Sequence, residues 1–162
     1  MLIPLKMKLI LPNSTLYEDE ILQLIDKAKI QHFKGIFMRD EIGLSTPNAI
    51  EYGIINLSSH DQKGTHWCAW IKKNKERYYF DSFAMEPPLE LIRYLKTTYE
   101  FANQIPCIKS NAITVQHFSE KNCGALCIFM IFNLFKGRAF SEIIEELRLR
   151  YQSSHPSALI LQ

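Results

Sequence analysis

The chain has 162 residues, of which 47% are hydrophobic and 22% charged, a composition typical of one globular domain and not of a disordered polypeptide. Its formal net charge of +2 is too small to indicate nucleic-acid binding. No apolar run reaches the roughly 18 residues needed to cross a bilayer, and the first residues do not resemble a signal peptide.

The cysteines occupy positions 68, 107, 123 and 127. They are too few and too unevenly spaced for a disulfide scaffold, so free thiols in a reducing compartment are predicted. A free thiol is either a packing residue or a nucleophile, and composition does not distinguish the two.

The first half of the chain predicts one helix followed by three strands. The helix, over residues 14–30, begins with Thr15 and Glu18 at the spacing of a capping box. Residues 31–50 are predicted to be irregular around a short apolar piece at 35–38. Aromatic and apolar runs at 52–57, 66–71 and 77–83 predict strands, with a hairpin between the last two.

The second half predicts three helices and one further strand. Pro87 and Pro88 open a helix, and a strand over 112–116 leads into a polar turn. The run over 123–135 is apolar on nearly all sides, which is typical of a helix in the core, and Gly137 is its predicted stop. Ser141 is predicted to cap a last helix, before a tail that is either docked or exposed.

This order of elements predicts an α+β fold in one domain, residues 1–162, with helices against a mostly antiparallel sheet.

Cys123 is the most informative position, because it begins the predicted buried helix directly after a polar turn. A helix N-terminus carries free N–H groups and a partial positive charge, which favour a thiolate over a thiol. The thiolate is the nucleophilic form, and Gly124 beside it lets a substrate or another backbone come close. The alternative is a small apolar residue at a tight helix entry.

Two titratable residues, His66 and Asp81, lie in the predicted hairpin strands. Imidazole is the usual general base near neutral pH, and a buried acid requires a partner. If both side chains lie on one face of the sheet, the carboxylate can orient the imidazole. Each residue alone is equally consistent with a structural role, bonded to nearby backbone groups.

Gln116 lies seven residues before Cys123, across the polar turn. An amide side chain there can donate to a developing oxyanion beside the Cys123 N–H group. Alone it is an ordinary surface glutamine. The combination, in the order His, Asp, Gln, Cys, is more informative than any one of these residues.

Three segments together resemble a known family: Gly64-Thr-His-Trp-Cys-Ala-Trp70, Tyr79-Phe-Asp-Ser-Phe83, and Gln116 followed by Asn122-Cys-Gly124. They are similar to the adenovirus-type cysteine proteases (adenain) and to the wider clan of SUMO and ubiquitin-like-protein proteases. The resemblance runs from Phe33 to the end of the predicted Cys123 helix. It implies a papain-like cysteine protease fold.

The resemblance also implies a role for each matching residue. Cys123 is the nucleophile, His66 is the general base that later protonates the leaving amine, and Asp81 orients His66. Gln116 forms the oxyanion hole with the Cys123 amide. No metal or organic cofactor is implied.

Trp67 and Gly124 are assigned to substrate binding. Trp67 matches the aromatic residue that narrows the substrate channel in this clan, which favours glycine before the scissile bond. A core tryptophan is the alternative, since the whole strand is aromatic.

The subfamily is indicated less clearly. The short interval between Gln116 and Cys123 resembles the adenovirus-type enzymes and their relatives in virophages and mobile DNA elements, which typically cleave capsid precursors during virion maturation. Asp81 instead matches the SUMO proteases, since adenain has a glutamate there.

Adenain is also activated by DNA and by a peptide tethered through a disulfide. Cys107 departs from the adenain spacing, and Glu76 interrupts a basic segment that we predict to be a solvated turn.

The prediction is therefore a monomeric cysteine endopeptidase that cuts polypeptides after glycine-containing sites, with capsid precursors as preferred substrates. The alternatives are a protease of SUMO- or ubiquitin-like modifiers, and an inactive binding module with the same fold. The expected location is the reducing cytoplasm or nucleus of a host, with packaging in the virion. Zinc binding by Cys123, Cys127 and His117 is disfavoured, because no second paired-ligand motif accompanies them.

Overall fold

The computed structural model describes residues 8–61, 66–96 and 107–162. Gly64 and Thr65 of the first motif lie outside the described residues, as do the first residues of the chain. None of the helices within these ranges is long and apolar enough to span a membrane.

Four α-helices are described: α1 (Glu18–Lys27), α2 (Leu89–Lys96), α3 (Cys123–Phe135) and α4 (Phe140–Gln152). The strands are β1 (Leu9–Ile10), β2 (Phe33–Met38), β3 (Ile50–Asn56), β4 (Trp67–Lys73), β5 (Glu76–Phe80), β6 (Ile108–Ser110) and β7 (Ile160–Leu161). A single 3₁₀ turn, Ile42–Leu44, lies between β2 and β3.

The central sheet has the strand order β2-β3-β4-β5-β6. Its middle pairs, β3 with β4 and β4 with β5, are antiparallel as predicted. Its outer pairs, β2 with β3 and β5 with β6, are parallel, so the sheet is mixed. The predicted α+β class is confirmed, and the antiparallel arrangement holds for the centre of the sheet only.

The helix α3 packs against one face of this sheet and forms the centre of the core. Every residue from Gly124 to Leu134 is buried, as its uniformly apolar sequence predicts. Ala69 and Ile71 of β4 face α3, whereas Cys68 and Trp70 face the opposite side, where α2 and the 3₁₀ turn pack. Both faces of β4 are therefore covered. Trp67, the first residue of this strand, lies beside the start of α3.

Two helix starts differ from the prediction. The cap of α1 is Tyr17, two residues after the predicted cap Thr15, and the Tyr17 N–H donates to the Glu20 carboxylate at 3.0 Å. Thr15 and Glu18 are thus not the capping pair. The residue before α4 is Ala139, and the predicted cap Ser141 lies inside the helix. At α4 the first helical residue, Phe140, stacks on Tyr78 with ring centroids 5.0 Å apart, so tertiary packing at this residue accompanies the earlier start.

Two strand predictions also require correction. The apolar piece at 35–38 belongs to an edge strand, β2, which pairs in parallel with β3. Residues 112–116 form no strand, and the strand that borders β5 is β6. The segment after β6 instead contacts the turn that follows β5, where the Val115 N–H donates to the Ser82 carbonyl at 2.8 Å.

The tail of the chain is docked. Its strand β7 pairs antiparallel with β1, and Leu161 is buried in the main core. The hairpin between β4 and β5 has an exposed turn at Asn74, Lys75 and Glu76, as predicted, but Lys72 and Arg77 of the same basic segment lie in the strands and are buried. The Arg77 guanidinium donates to the Leu95 carbonyl at 3.2 Å and so anchors α2 to the hairpin.

Gly53 is required by close packing in the sheet. It lies opposite Trp70, and a Cβ atom at Gly53 would come within 2.2 Å of the buried indole ring. We expect Gly53→Ala to lower the free energy of unfolding by about 3 kcal/mol, because the ring and the strand must separate. Gly43→Ala is the matched control, since nothing lies within 4 Å there, and a change below about 0.5 kcal/mol is expected. Equal unfolding midpoints in urea for the two variants would contradict this account.

Candidate active site

His66 and Asp81 lie at the same end of the β4–β5 hairpin. His66 directly precedes β4 and Asp81 directly follows β5, and these strands pair Ala69 with Phe80. The imidazole Nε2 and the carboxylate Oδ1 are 2.7 Å apart, with 14% of the His66 side chain exposed and none of that of Asp81. The carboxylate is therefore a buried partner for a histidine that opens to the surface.

The turn at Asp81 is held by several hydrogen bonds. Asn111 accepts from the Asp81 N–H at 3.1 Å and donates to the Asp81 carbonyl at 2.6 Å. The Asp81 carboxylate also accepts from the Phe83 N–H at 2.8 Å. Ala84 follows with a φ of 57°, a left-handed conformation that is uncommon for alanine. Backbone strain of this kind persists only where neighbouring contacts enforce it, which is frequent at functional sites.

These contacts determine which nitrogen of His66 faces the thiol. A carboxylate only accepts hydrogen bonds, so Nε2 carries the proton that it donates to Asp81. Nδ1 is left for Cys123, whose thiol lies close enough to the imidazole for each group to shift the pKa of the other. Burial alone would lower the pKa of His66, but its interactions with Asp81 and Cys123 raise that pKa well above the usual range.

Cys123 is the first residue of α3, and its surroundings favour the thiolate. Burial opposes ionisation, but the neighbouring His66 imidazole and the N–H groups of Trp67 and Gly124 lower the pKa of the Cys123 thiol. The residue before it, Asn122, makes no side-chain capping bond to the helix, so the first-turn N–H groups remain available. The arrangement favours a thiolate paired with an imidazolium.

Gln116 is buried and its amide is held in one orientation. Its Oε1 accepts from the Ser82 hydroxyl at 2.5 Å, and its Nε2 donates to the Glu120 carbonyl at 2.8 Å. Glu120 takes one of the two N–H hydrogens, which leaves the other for an acceptor such as an oxyanion. The Ser82 contact joins this amide to the turn that holds Asp81.

Trp67 and Gly124 lie against each other beside Cys123. The Trp67 indole donates to the Leu16 carbonyl at 2.9 Å, and Gly124 is buried against the side chains of Leu16, Ile21 and Trp67. A Cβ at Gly124 would approach Leu16 to 3.2 Å. The glycine therefore brings the N-terminal segment close to the nucleophile, and contact of either residue with a substrate stays a prediction.

Sequence reasoning missed Cys68 and Tyr79, which lie behind the histidine. Cys68 is buried close to both His66 and Tyr79, near enough for these groups to influence the pKa of its thiol. Burial raises the pKa of the Cys68 thiol and that of Tyr79, so both remain protonated. A signal was present, because residues two apart on a strand share a face and Cys68 is two residues after His66.

Within the described part of the chain, one group of side chains offers possible metal ligands. It consists of His66, Cys68 and Asp81, whose candidate ligand atoms all lie within 4.8 Å of one another. The direct 2.7 Å hydrogen bond between imidazole and carboxylate occupies the space in which an ion would lie. Cys127 donates to the Trp67 carbonyl at 3.3 Å and lies in the core, and His117 packs on Tyr151.

The four thiols are expected to differ in reactivity. At about pH 7, iodoacetamide should alkylate Cys123 first, since the thiolate is the reactive form and the pKa of Cys123 is lowered. Cys107 is the exposed control thiol, and Cys68 and Cys127 are buried. Peptide mapping by mass spectrometry after partial labelling measures this order. Labelling of Cys107 ahead of Cys123 would show that the thiolate is not stabilised.

The chain was compared with known proteins. No family model matches it. A protein named "Protease" from Bovine adenovirus 7 is 27% identical over 135 residues, which cover 76% of this chain and 66% of that protein. The sequence resemblance to the adenovirus-type proteases is thereby confirmed.

Solved structures of an ASFV protease share the fold. One crystal structure superposes with a TM-score of 0.54 at 16% identity, and its selenomethionine form with 0.51 at 17% identity. Each alignment covers 82% of this chain and 62% of the solved one. The chain thus spans just under two thirds of the length of the relatives it matches, and the papain-like fold is confirmed.

Proposed function

We propose that this chain is a cysteine endopeptidase. The observation that carries the proposal is the 2.7 Å hydrogen bond between the buried Asp81 carboxylate and the His66 imidazole, which lies beside the Cys123 thiol at the start of a buried helix. Protease relatives of viral origin support the same reaction class. An inactive binding module would not need a thiol whose pKa is lowered by a neighbouring histidine.

The reaction follows from the positions of these groups. The Cys123 thiolate attacks the peptide carbonyl, and the oxyanion accepts hydrogen bonds from the Cys123 N–H and the free N–H of Gln116. The tetrahedral intermediate collapses when the His66 imidazolium gives its Nδ1 proton to the leaving amine. His66, now neutral, removes a proton from water, and the hydroxide displaces the thiolate from the acyl-enzyme and releases the acid.

The substrate side of the proposal rests on Trp67. Its indole is fixed to the Leu16 carbonyl and packs against Gly124, the residue after the nucleophile, so we expect the residue before the scissile bond to have little lateral space. We therefore propose cleavage after glycine-containing sites, with capsid precursor proteins as substrates because the named relatives are virus proteases. The corresponding location is the reducing cytoplasm or nucleus of a host, or the virion.

The test is a comparison of two substrate classes. One is a peptide panel with Gly-X-Gly or Gly-Gly before the scissile bond, and the other is a set of folded ubiquitin-like precursors. Cleavage of the peptides, lost in Cys123→Ala, supports the maturation protease. Cleavage confined to folded modifiers indicates the deconjugating alternative, which Asp81 favours by its resemblance. If neither class is cleaved and Cys123 is not alkylated selectively, the proposed function is wrong.

A further inference from the structure

An aromatic shelf extends from the histidine to the surface. Phe83 covers the His66 imidazole with ring centroids 5.0 Å apart, and Phe118 packs on Phe83 with centroids 5.9 Å apart. Phe118 is 98% exposed, more than any other large hydrophobic residue that the structure describes. An aromatic side chain in this position contributes little to the fold, so its surface is available to a ligand.

Both residues of the shelf are positioned by the active site itself. The Phe83 backbone donates to the Asp81 carboxylate at 2.8 Å and accepts from the Thr114 hydroxyl at 3.3 Å. Phe118 lies on the turn that joins Gln116 to Cys123, and that turn closes through a bond from the Glu120 N–H to the His117 carbonyl at 3.0 Å. The shelf is therefore a preformed continuation of the catalytic groups.

The position of the leaving amine determines which part of a substrate lies at the aromatic shelf. His66 must deliver its proton to the leaving amine, so that amine lies within hydrogen-bond distance of the imidazole. The residues that follow the scissile bond then continue across the surface that begins at this ring. Within the described residues, that surface is formed by Phe83 and Phe118.

The geometry points to an apolar subsite at Phe83 and Phe118 for the first or second residue after the scissile bond. This inference rests on the proposed protease function. The occupant is an aliphatic or aromatic side chain of the polypeptide substrate, because both walls are phenyl rings. The shelf thus adds a preference on the leaving side to the glycine preference on the acyl side.

Two peptides with Gly-Gly before the scissile bond, followed by Leu-Phe or by Ser-Ser, test the subsite. For the wild-type protein we expect kcat/KM to be about 10-fold higher for the apolar peptide, and Phe118→Ser should reduce this preference below about 3-fold. Leu44→Ser is the control, since Leu44 is 88% exposed on the 3₁₀ turn, and it should keep the wild-type preference. Phe83 is not substituted, because it also covers His66.

The possible outcomes separate the two proposals. An equal rate on both peptides, or an unchanged preference in Phe118→Ser, overturns the subsite and leaves the protease function standing. Cleavage of neither peptide by the wild-type protein overturns the subsite, and it overturns the protease function as well when folded ubiquitin-like precursors are also not cleaved and Cys123 is not alkylated selectively. Thermal unfolding of Phe118→Ser should match the wild type, and a lower melting temperature would show that Phe118 has a structural role.

Discussion

Replacement of Cys123 by alanine is expected to abolish peptide cleavage, with kcat/KM falling by about 10⁵-fold or to background. The thiolate forms the bond to the carbonyl, and nothing else at this position can replace it. Cys123→Ser should be almost as inactive, because a hydroxyl beside His66 does not ionise as a thiol does. Rates on the Gly-Gly peptides measure both variants.

The stability of these variants separates chemistry from folding. Cys123 is only partly buried at the first turn of α3, so Cys123→Ala should shift the unfolding midpoint little. Cys107→Ser is the matched control, because Cys107 is an exposed thiol and should keep full activity. Turnover by Cys123→Ala near the wild-type rate would remove Cys123 from the mechanism, and loss of turnover in Cys107→Ser would show that the exposed thiol is needed as well.

The helix that carries the nucleophile could be predicted in full from the sequence. Its bounds, Cys123–Phe135, agree with the apolar run that starts after a polar turn. The helix ends before Gly137, whose φ is 90°, the left-handed conformation that glycine adopts readily. The apolar run and the glycine that follows it are both local features of the sequence, so the pattern over a few residues was sufficient to predict this helix.

The edges of the sheet could not be predicted in the same way. Both outer strands pair in parallel with a strand from another part of the chain, and such pairing leaves no short turn in the sequence to reveal it. Residues 112–116 alternate like a strand, but Asn111 and Val115 bond to the turn at Asp81 instead of extending β6. Those bonds join segments thirty residues apart in sequence.

The residues of the candidate site could be predicted from the sequence, but the contacts that position them could not. The order His66, Asp81, Gln116, Cys123 indicated the reaction class, and the structure adds the supports that no motif shows. The Ser82 hydroxyl donates to the Gln116 amide oxygen at 2.5 Å, although the sequence predicts Ser82 only as part of a strand. Such supports act through side chains brought together by the fold, so spacing along the chain does not identify them.

Replacement of Asp81 by asparagine is expected to lower kcat/KM by about 100-fold or more near neutral pH, because the carboxylate selects the tautomer and charge of His66. An amide still accepts the bond from the Phe83 N–H, so the turn can persist. Without the negative charge, the pKa of His66 falls and the pKa of Cys123 rises. The onset of Cys123 alkylation should therefore move to higher pH, which iodoacetamide rates across a pH series measure.

Asp81→Asn is also expected to lower the free energy of unfolding by an amount that depends on pH. The folded-state pKa of His66 is raised above its unfolded value, so the His66–Asp81 pair stabilises the fold fully below the ordinary histidine pKa. That contribution is lost as pH rises toward the folded-state value. The deficit of Asp81→Asn relative to wild type should thus be largest in mildly acidic solution and shrink at alkaline pH.

A second carboxylate–histidine pair in the protein provides the control for Asp81→Asn. Asp40 accepts from the His60 backbone N–H at 2.8 Å and also bonds the His60 ring, which is 66% exposed. Asp40→Asn removes the same charge from a solvent-screened pair, so activity and the alkylation profile should stay at wild-type values. If Asp40→Asn and Asp81→Asn lost activity equally, the effect would come from net charge, and the orienting role of Asp81 would be wrong. A loss confined to Asp81→Asn, with the shifted alkylation onset, requires the buried carboxylate to act through His66 on the thiol.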